Sequence, residues 1–130
     1  MPHFQIDYSR NLESRLDMAA LCSCLRDAAV QTGVFPVAGI RVRAVAVDHC
    51  VIADGNPDHA FLDLSVRLRA GRDLPTRQGA TQEIFAALEA FCAEVLETSS
   101  LMLSMEMRDI DPELAPKTSS IRRHLPKDMT

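Results

Sequence analysis

Apolar and polar positions alternate at the start of the chain: Pro2, Phe4, Ile6 and Tyr8 fall on one side, and His3, Gln5 and Asp7 on the other. A period of two predicts a strand over residues 2 to 8 with one buried face. From Asp17, an N-capping residue type, Met18, Leu21, Leu25, Ala28, Ala29 and Thr32 advance by threes and fours, and Gly33 stands where a helix closes. The spacing predicts an amphipathic helix over 18–32. Val34 to Gly39 carries Pro36 and Gly39 and reads as a loop. Ile40 to Val47 is β-branched and Ala-rich and reads as a second strand. Asp48 to Ile52 suggests a short hairpin arm, and Asp54-Gly55-Asn56-Pro57-Asp58 is a dense turn signal.

The alternation returns over Ala60 to Arg69, with Leu62, Leu64, Val66 and Leu68 on the buried side. After a loop from Ala70 to Pro75, the stripe Ala80, Ile84, Ala87, Leu88, Phe91, Val95 predicts a helix ending near Glu97, and Leu101, Leu103, Met105 and Met107 mark a last strand. Residues 111–130 hold three of the seven prolines and read as an arm that lies over a neighbour or is partly mobile. The order is two β-α-β halves. Crossover helices of this length join parallel strands, so the expected fold is α+β: one four-stranded mixed sheet with both helices on one face, all in a single domain spanning 1–130. The second sheet face then has no cover. If the Phe4/Ile6 or Leu103/Met105 side were the bare one, it would be an apolar patch of the kind subunits bury, and on that ground the chain is expected to form a homo-oligomer.

Composition narrows the possible functions. The 130 residues are 47% hydrophobic and 25% charged, as expected of one folded domain. A net charge of −4 offers no general attraction to nucleic acid, and no run approaches the ~20 apolar residues of a membrane span. The first residues lack the cationic end and apolar run of an export signal, so a cytoplasmic location is expected. Cys22, Cys24, Cys50 and Cys92 then read as free thiols, and His3, His49, His59 and His124 lack metal-ligand spacing, so no metal is expected.

Three features could carry chemistry. Loss of Met1 would give Pro2 a free secondary amine. Such an amine titrates near ~7.7 to 8.0 unperturbed, and burial or nearby cations bring it toward neutrality, where a general base works well. A Met-Pro start by itself is commonplace. Arg41 and Arg43 share one face of a strand, and Arg72 follows a glycine in a loop. Guanidinium forks at one cleft would bind a substrate carrying several carboxylates, although such arginines equally serve as surface charge, the reading preferred for Arg67, Arg69 and Arg77. Phe35 could wall a site or plug a core edge.

Pro2-His3-Phe4, the run Thr32-Gly33-Val34-Phe35-Pro36-Val37-Ala38-Gly39-Ile40-Arg41-Val42-Arg43, then Ala53-Asp54-Gly55 and Ala70-Gly71-Arg72 together resemble the 5-carboxymethyl-2-hydroxymuconate isomerase family of the tautomerase superfamily. The match runs over about residues 2 to 110 and fades in the tail. The resemblance implies a tautomerase-like trimer and a cofactor-independent enzyme of homoprotocatechuate degradation. Such an enzyme converts a carboxylated 2-hydroxydiene to the conjugated 2-oxo-3-ene. It further implies that Pro2 is the proton shuttle, that Arg41 and Arg72 bind substrate with Arg43 less certain, and that Phe35 lines the site. Two other readings stay open: the same fold acting on another enol or unsaturated acid, and a non-catalytic trimeric ligand-binding protein in which Pro2 is inert.

Overall fold

The computed structural model describes residues 1–129. Four strands, β1 (His3–Ser9), β2 (Arg41–Val47), β3 (Ala60–Arg69) and β4 (Leu101–Ile110), form one sheet in the order β2-β1-β3-β4. The outer pairs β1/β2 and β3/β4 are parallel and the central pair β1/β3 is antiparallel. Each parallel pair is joined by a helical crossover, so the two β-α-β halves meet in a mixed sheet as expected. Helix α1 (Met18–Thr32) packs beside α2 (Leu74–Phe91) over one face, with the short α3 (Ala93–Thr98) next to them.

Local chemistry explains the boundaries. The Asp17 carboxylate accepts the Ala20 N–H at 3.0 Å, and Gly33 ends α1 at φ 70°, a conformation open to a residue without Cβ. Asp73 caps α2 in the same way through the Thr76 N–H at 2.9 Å, so the helix begins at Leu74, inside the stretch read as loop. Pro75 lies in the first turn, where its missing N–H is no loss. The long second helix is in fact two, α2 and α3, because the backbone at Cys92 leaves helical geometry (φ −94°, ψ 8°). The hairpin expected at 48–52 does not form: these residues are bends and open chain, with no partner strand beside the β2 edge.

Register decides which side is core. Phe4 opposes Val66, Ile6 opposes Leu64, and Leu62 and Leu64 oppose Leu103 and Met105, so both apolar sets point to the same, helix-covered face. Phe4, Ile6, Leu21, Leu25, Leu62, Leu64, Ile84 and Leu88 are fully buried there, each contributing roughly 1.5–3 kcal/mol of transfer free energy. The apolar bare face expected above is therefore corrected. The uncovered side carries His3, Gln5 and Asp7 of β1, Arg41, Arg43 and Val45 of β2, Phe61, Asp63, Ser65 and Arg67 of β3, and Met102, Ser104, Glu106 and Arg108 of β4, with Val45 and Met102 exposed. This face is mainly polar, with Val45 and Met102 as exposed apolar positions, and is not the continuous apolar patch expected. Residues 117–122 turn back beside the chain's own Met1, Gly39 and Arg41, and are not free of the domain. Among the described residues no helix is long and apolar enough to cross a membrane.

Candidate active site

The amino end enters the sheet at the head of β1. Pro2 is fully buried on the helix side, and its carbonyl accepts the Arg41 N–H at 3.3 Å, which starts the β1/β2 ladder. Behind it runs the 3-10 turn Val37–Gly39. The Gly39 backbone lies so close that a Cβ there would stand 2.6 Å from the Met1 nitrogen and 3.2 Å from Pro2 Cδ. Gly39 is thus a matter of contact: its φ lies outside the left-handed range, unlike that of Gly33.

The terminal amine is crowded by burial and by cations. Its pKa falls from 8.0 to about 6, first through desolvation and then through the charges of Lys117, Arg41, Arg72 and Arg69. A neutral amine near pH 7 is what a general base requires. While Met1 is attached, that amine belongs to Met1 and the Pro2 nitrogen is an amide. Removing Met1 moves the free amine one residue down and vacates the room the methionine fills.

The expected binding residues divide. Arg41 lines a cavity of about 320 Å³ at this end together with Met1, Pro36, Gly39, Lys117 and Arg122; its Nε donates to the Gly39 carbonyl at 3.1 Å, leaving both terminal nitrogens available. Arg43 points along the open sheet face and donates to Gln5 Oε1 at 2.9 Å. Arg72 is held by backbone: Nε and Nη2 donate to the Val34 carbonyl at 3.2 and 3.0 Å, and Nη1 to the Arg69 carbonyl at 3.3 Å. It ties the 34–39 loop to the end of β3, and two N–H groups are left over for a ligand. Phe35 is not brought to the cavity. It is 5% exposed and meets Phe4 edge-on, with centroids 5.7 Å apart, as a core plug.

Three residues near the amine escaped the sequence reading. Arg69, exposed and outside the cavity lining, is the weakest of the four charges that lower the amine. His3 opposes Arg41 on one side and Arg67 on the other. Its pKa is pushed down to about 4 by burial, then by Arg41, Arg67 and Arg43, and Nδ1 is buried with no hydrogen-bond partner among the described residues. Lys117 arrives from the tail. Strand register could have placed His3 between two arginines; Lys117 had no such signal. A second titratable group, His59 between Ser100 Oγ (2.6 Å) and Asp54 Oδ1 (2.7 Å), lies elsewhere, and pins the 54–59 turn to the start of β4.

A mixed sheet built from two parallel crossover pairs, with the chain end held at the head of the first strand, is the fold of the tautomerase superfamily. A fused 4-OT protein described as a wild-type symmetric trimer has it at TM-score 0.64 and 16% identity, with 89% of this chain and 93% of that one covered. The family model for 5-carboxymethyl-2-hydroxymuconate isomerase matches residues 2–125, and the chain belongs to that family. It is 34% identical over 121 residues to the 5-carboxymethyl-2-hydroxymuconate Delta-isomerase of Escherichia coli, covering 93% of this chain and 96% of that protein. A solved 5-carboxymethyl-2-hydroxymuconate delta-isomerase superposes with TM-score 0.90 at 30% identity, covering 98% and 94% of the two chains. The isomerase from Deinococcus radiodurans R1 gives 0.87 at 29%, covering 96% and 95%.

Proposed function

We propose that this chain, once Met1 is removed, is a cofactor-independent isomerase that shifts a double bond in a dienol of the 5-carboxymethyl-2-hydroxymuconate type, with the Pro2 amine carrying the proton. The observation that carries this reading is the seat of the amino end: Pro2 is fully buried at the head of β1, and the amine of the half-buried Met1 next to it is drawn down to about 6 by desolvation and by the charges of Lys117, Arg41, Arg72 and Arg69. The neutral amine takes the 2-hydroxyl proton, and the O–H electron pair becomes the C2=O bond. The C2=C3 pair moves to C3=C4, and the C4=C5 pair forms the new C–H bond at the far end of the diene by taking the proton back from the same nitrogen, so one conjugated C=C remains. One group can serve both ends because the diene is planar and short. Between the two transfers the dienolate carries negative charge on oxygen. Arg41, with both terminal nitrogens uncommitted, suits that charge, and the two unspent N–H groups of Arg72 suit a carboxylate. Arg43 is the more remote cation, and Phe35 acts by holding Phe4 and the loop. The names of the isomerase relatives support the substrate class, and the symmetric-trimer description of the 4-OT neighbour supports a homotrimer.

The test is an ultraviolet assay of processed protein on that dienol. Pro2→Ala should lower kcat far more than it raises KM. An unchanged rate rejects Pro2 as the base, and intact mass retaining Met1 in fully active protein rejects it equally.

A further inference from the structure

The cavity over the amino end has a peculiar charge balance. Its ionic lining groups are the Met1 amine, Arg41, Lys117 and Arg122, with no acid among them, in a chain whose net charge is −4. Two of the four come from the tail, in which Asp111, Glu113 and Asp128 lie outside the cavity lining. Among the described residues no carboxylate pairs with Lys117 or Arg122, although exposed arginines elsewhere have found partners, such as Arg10 with Asp48 at 2.7 Å. Pro116 restricts the backbone just ahead of Lys117, so the lysine leaves a stiffened stretch and not a free coil. A compact ammonium on a long stem is suited to meeting a single carboxylate oxygen at varied approach, where arginine would demand a planar fork.

Of the arginines in the strands and the 70–73 loop, Arg41 alone lines this cavity among the described residues. A muconate skeleton bears two carboxylates, and the carboxymethyl branch adds a third. Arg41 and the remainder of Arg72 account for the enolic end. The branch needs a receiver, and the tail brings Lys117 and Arg122 into the lining of the cavity. We propose that the C-terminal arm is a wall of the substrate site and that Lys117, with Arg122 behind it, receives the third carboxylate, making Lys117 the residue that selects a tricarboxylate over a plain dienedioate. This rests on the isomerase reading for its substrate, but the seat itself is a property of this chain that simpler acids can probe.

The experiment uses the full processed chain and two stable acids on one skeleton, glutarate and its 3-carboxy derivative tricarballylate, titrated calorimetrically. The unmodified protein should bind tricarballylate more tightly than glutarate. Lys117→Met should weaken tricarballylate at least about fivefold, the loss of one charge-assisted contact, and glutarate less than twofold. Lys117→Arg should restore most of the difference, and it should shrink near 1 M salt, where screening acts over roughly 3 Å; a purely structural role for the lysine would show neither behaviour. Equal loss for both acids, no loss for either, or no binding of either by the unmodified protein overturns the proposal. Turnover separates it from the reading beneath it. Activity on the dienol with Lys117→Met indistinguishable from unmodified protein sinks the lysine and leaves the isomerase standing. Selective binding of tricarballylate without turnover sinks the isomerase and leaves the seat.

Discussion

Gly39→Ala isolates the geometry of the Pro2 seat from every charge around it. Gly39 closes the 3-10 turn with a backbone that any L residue can adopt, so alanine brings no conformational strain, and the effect must come from the added methyl. With Met1 in place that methyl would stand 2.6 Å from the Met1 nitrogen and 3.3 Å from its Cα, too close without movement, and overpacking of this kind costs about 1–3 kcal/mol. After processing, the surviving contact is with Pro2 Cδ at 3.2 Å, and the ring must give by a few tenths of an ångström. Cδ is bonded to the nitrogen that carries the proton, so the base moves with it. Displacements approaching 1 Å cost on the order of a hundredfold in rate, and a smaller shift should lower kcat roughly tenfold with KM changed less than threefold. Gly33→Ala is the control. It has open space around it but φ 70°, so it should lower stability by about 1 kcal/mol and leave kcat alone. Initial rates by ultraviolet absorbance and thermal melts of the two variants give the answer. A Gly39→Ala enzyme with the unmodified kcat, or one that loses melting temperature alone, would refute the seat as the determinant of the base's position.

Arg41→Ala and Arg72→Ala should separate. Arg41, exposed and bonded to one carbonyl, should lose about 2–4 kcal/mol of transition-state stabilisation in kcat/KM with little change in melting temperature. Arg72→Ala also unties the Val34 and Arg69 carbonyls, each a loss of about 1–3 kcal/mol, so melting temperature should fall by several degrees along with the rate; two identical profiles would discard the distinction. In the pH dependence of kcat/KM, the acidic limb of processed enzyme should lie well below the ordinary amine value of 8.0, because only neutral Pro2 takes a proton. Lys117→Met should move that limb upward, and a limb at 8 in both would remove the cations from the account. His3 titrates near 4 when folded and 6.5 when unfolded, so the unfolded chain binds more protons between those values. Its contribution to stability is therefore fully present above pH 6.5 and lost as pH falls toward 4. His3→Gln should flatten the melting temperature over that window, and parallel curves for the two proteins would contradict the shift.

The fold was legible because its two halves each state their period clearly. Phe4-Ile6-Tyr8 and Leu62-Leu64-Val66-Leu68 are period-two runs with one buried side, and Asp17 and Gly33 delimit α1 by capping chemistry that acts within a few residues. What failed was long-range or finely balanced. The hairpin at 48–52 had suitable residues but no strand to pair with. Which apolar set faced solvent depended on register between β1, β3 and β4, and in the event neither did. Phe35 is as apolar as a site wall should be, and only its contact with Phe4 shows that it belongs to the core. Of the site, Pro2 and Arg41 could be named from local residues and from family resemblance. His3 could have been placed between Arg41 and Arg67 by strand register, whereas Lys117 could not, since it approaches the amine across 116 residues and the tail that brings it has no periodicity to read.

The pairing of halves also explains why a fold with internal repetition has one site. Backbone roles recur: β3 leads through α2 to the parallel β4 as β1 leads through α1 to β2. Chemistry does not. Where Pro2 precedes β1, His59 precedes β3 in mid-chain, and at the heads of the two parallel pairs the Arg41 N–H donates to the Pro2 carbonyl at 3.3 Å and the Ala60 N–H to the Ser100 carbonyl at 2.9 Å. An amide nitrogen at that place has no basic lone pair, so no substitution in the second half could reproduce the first. Cations placed there would find no amine to depress, and the charged groups are accordingly unequal: Arg41 heads β2, whereas the equivalent head of β4 is Leu101, packed against the core.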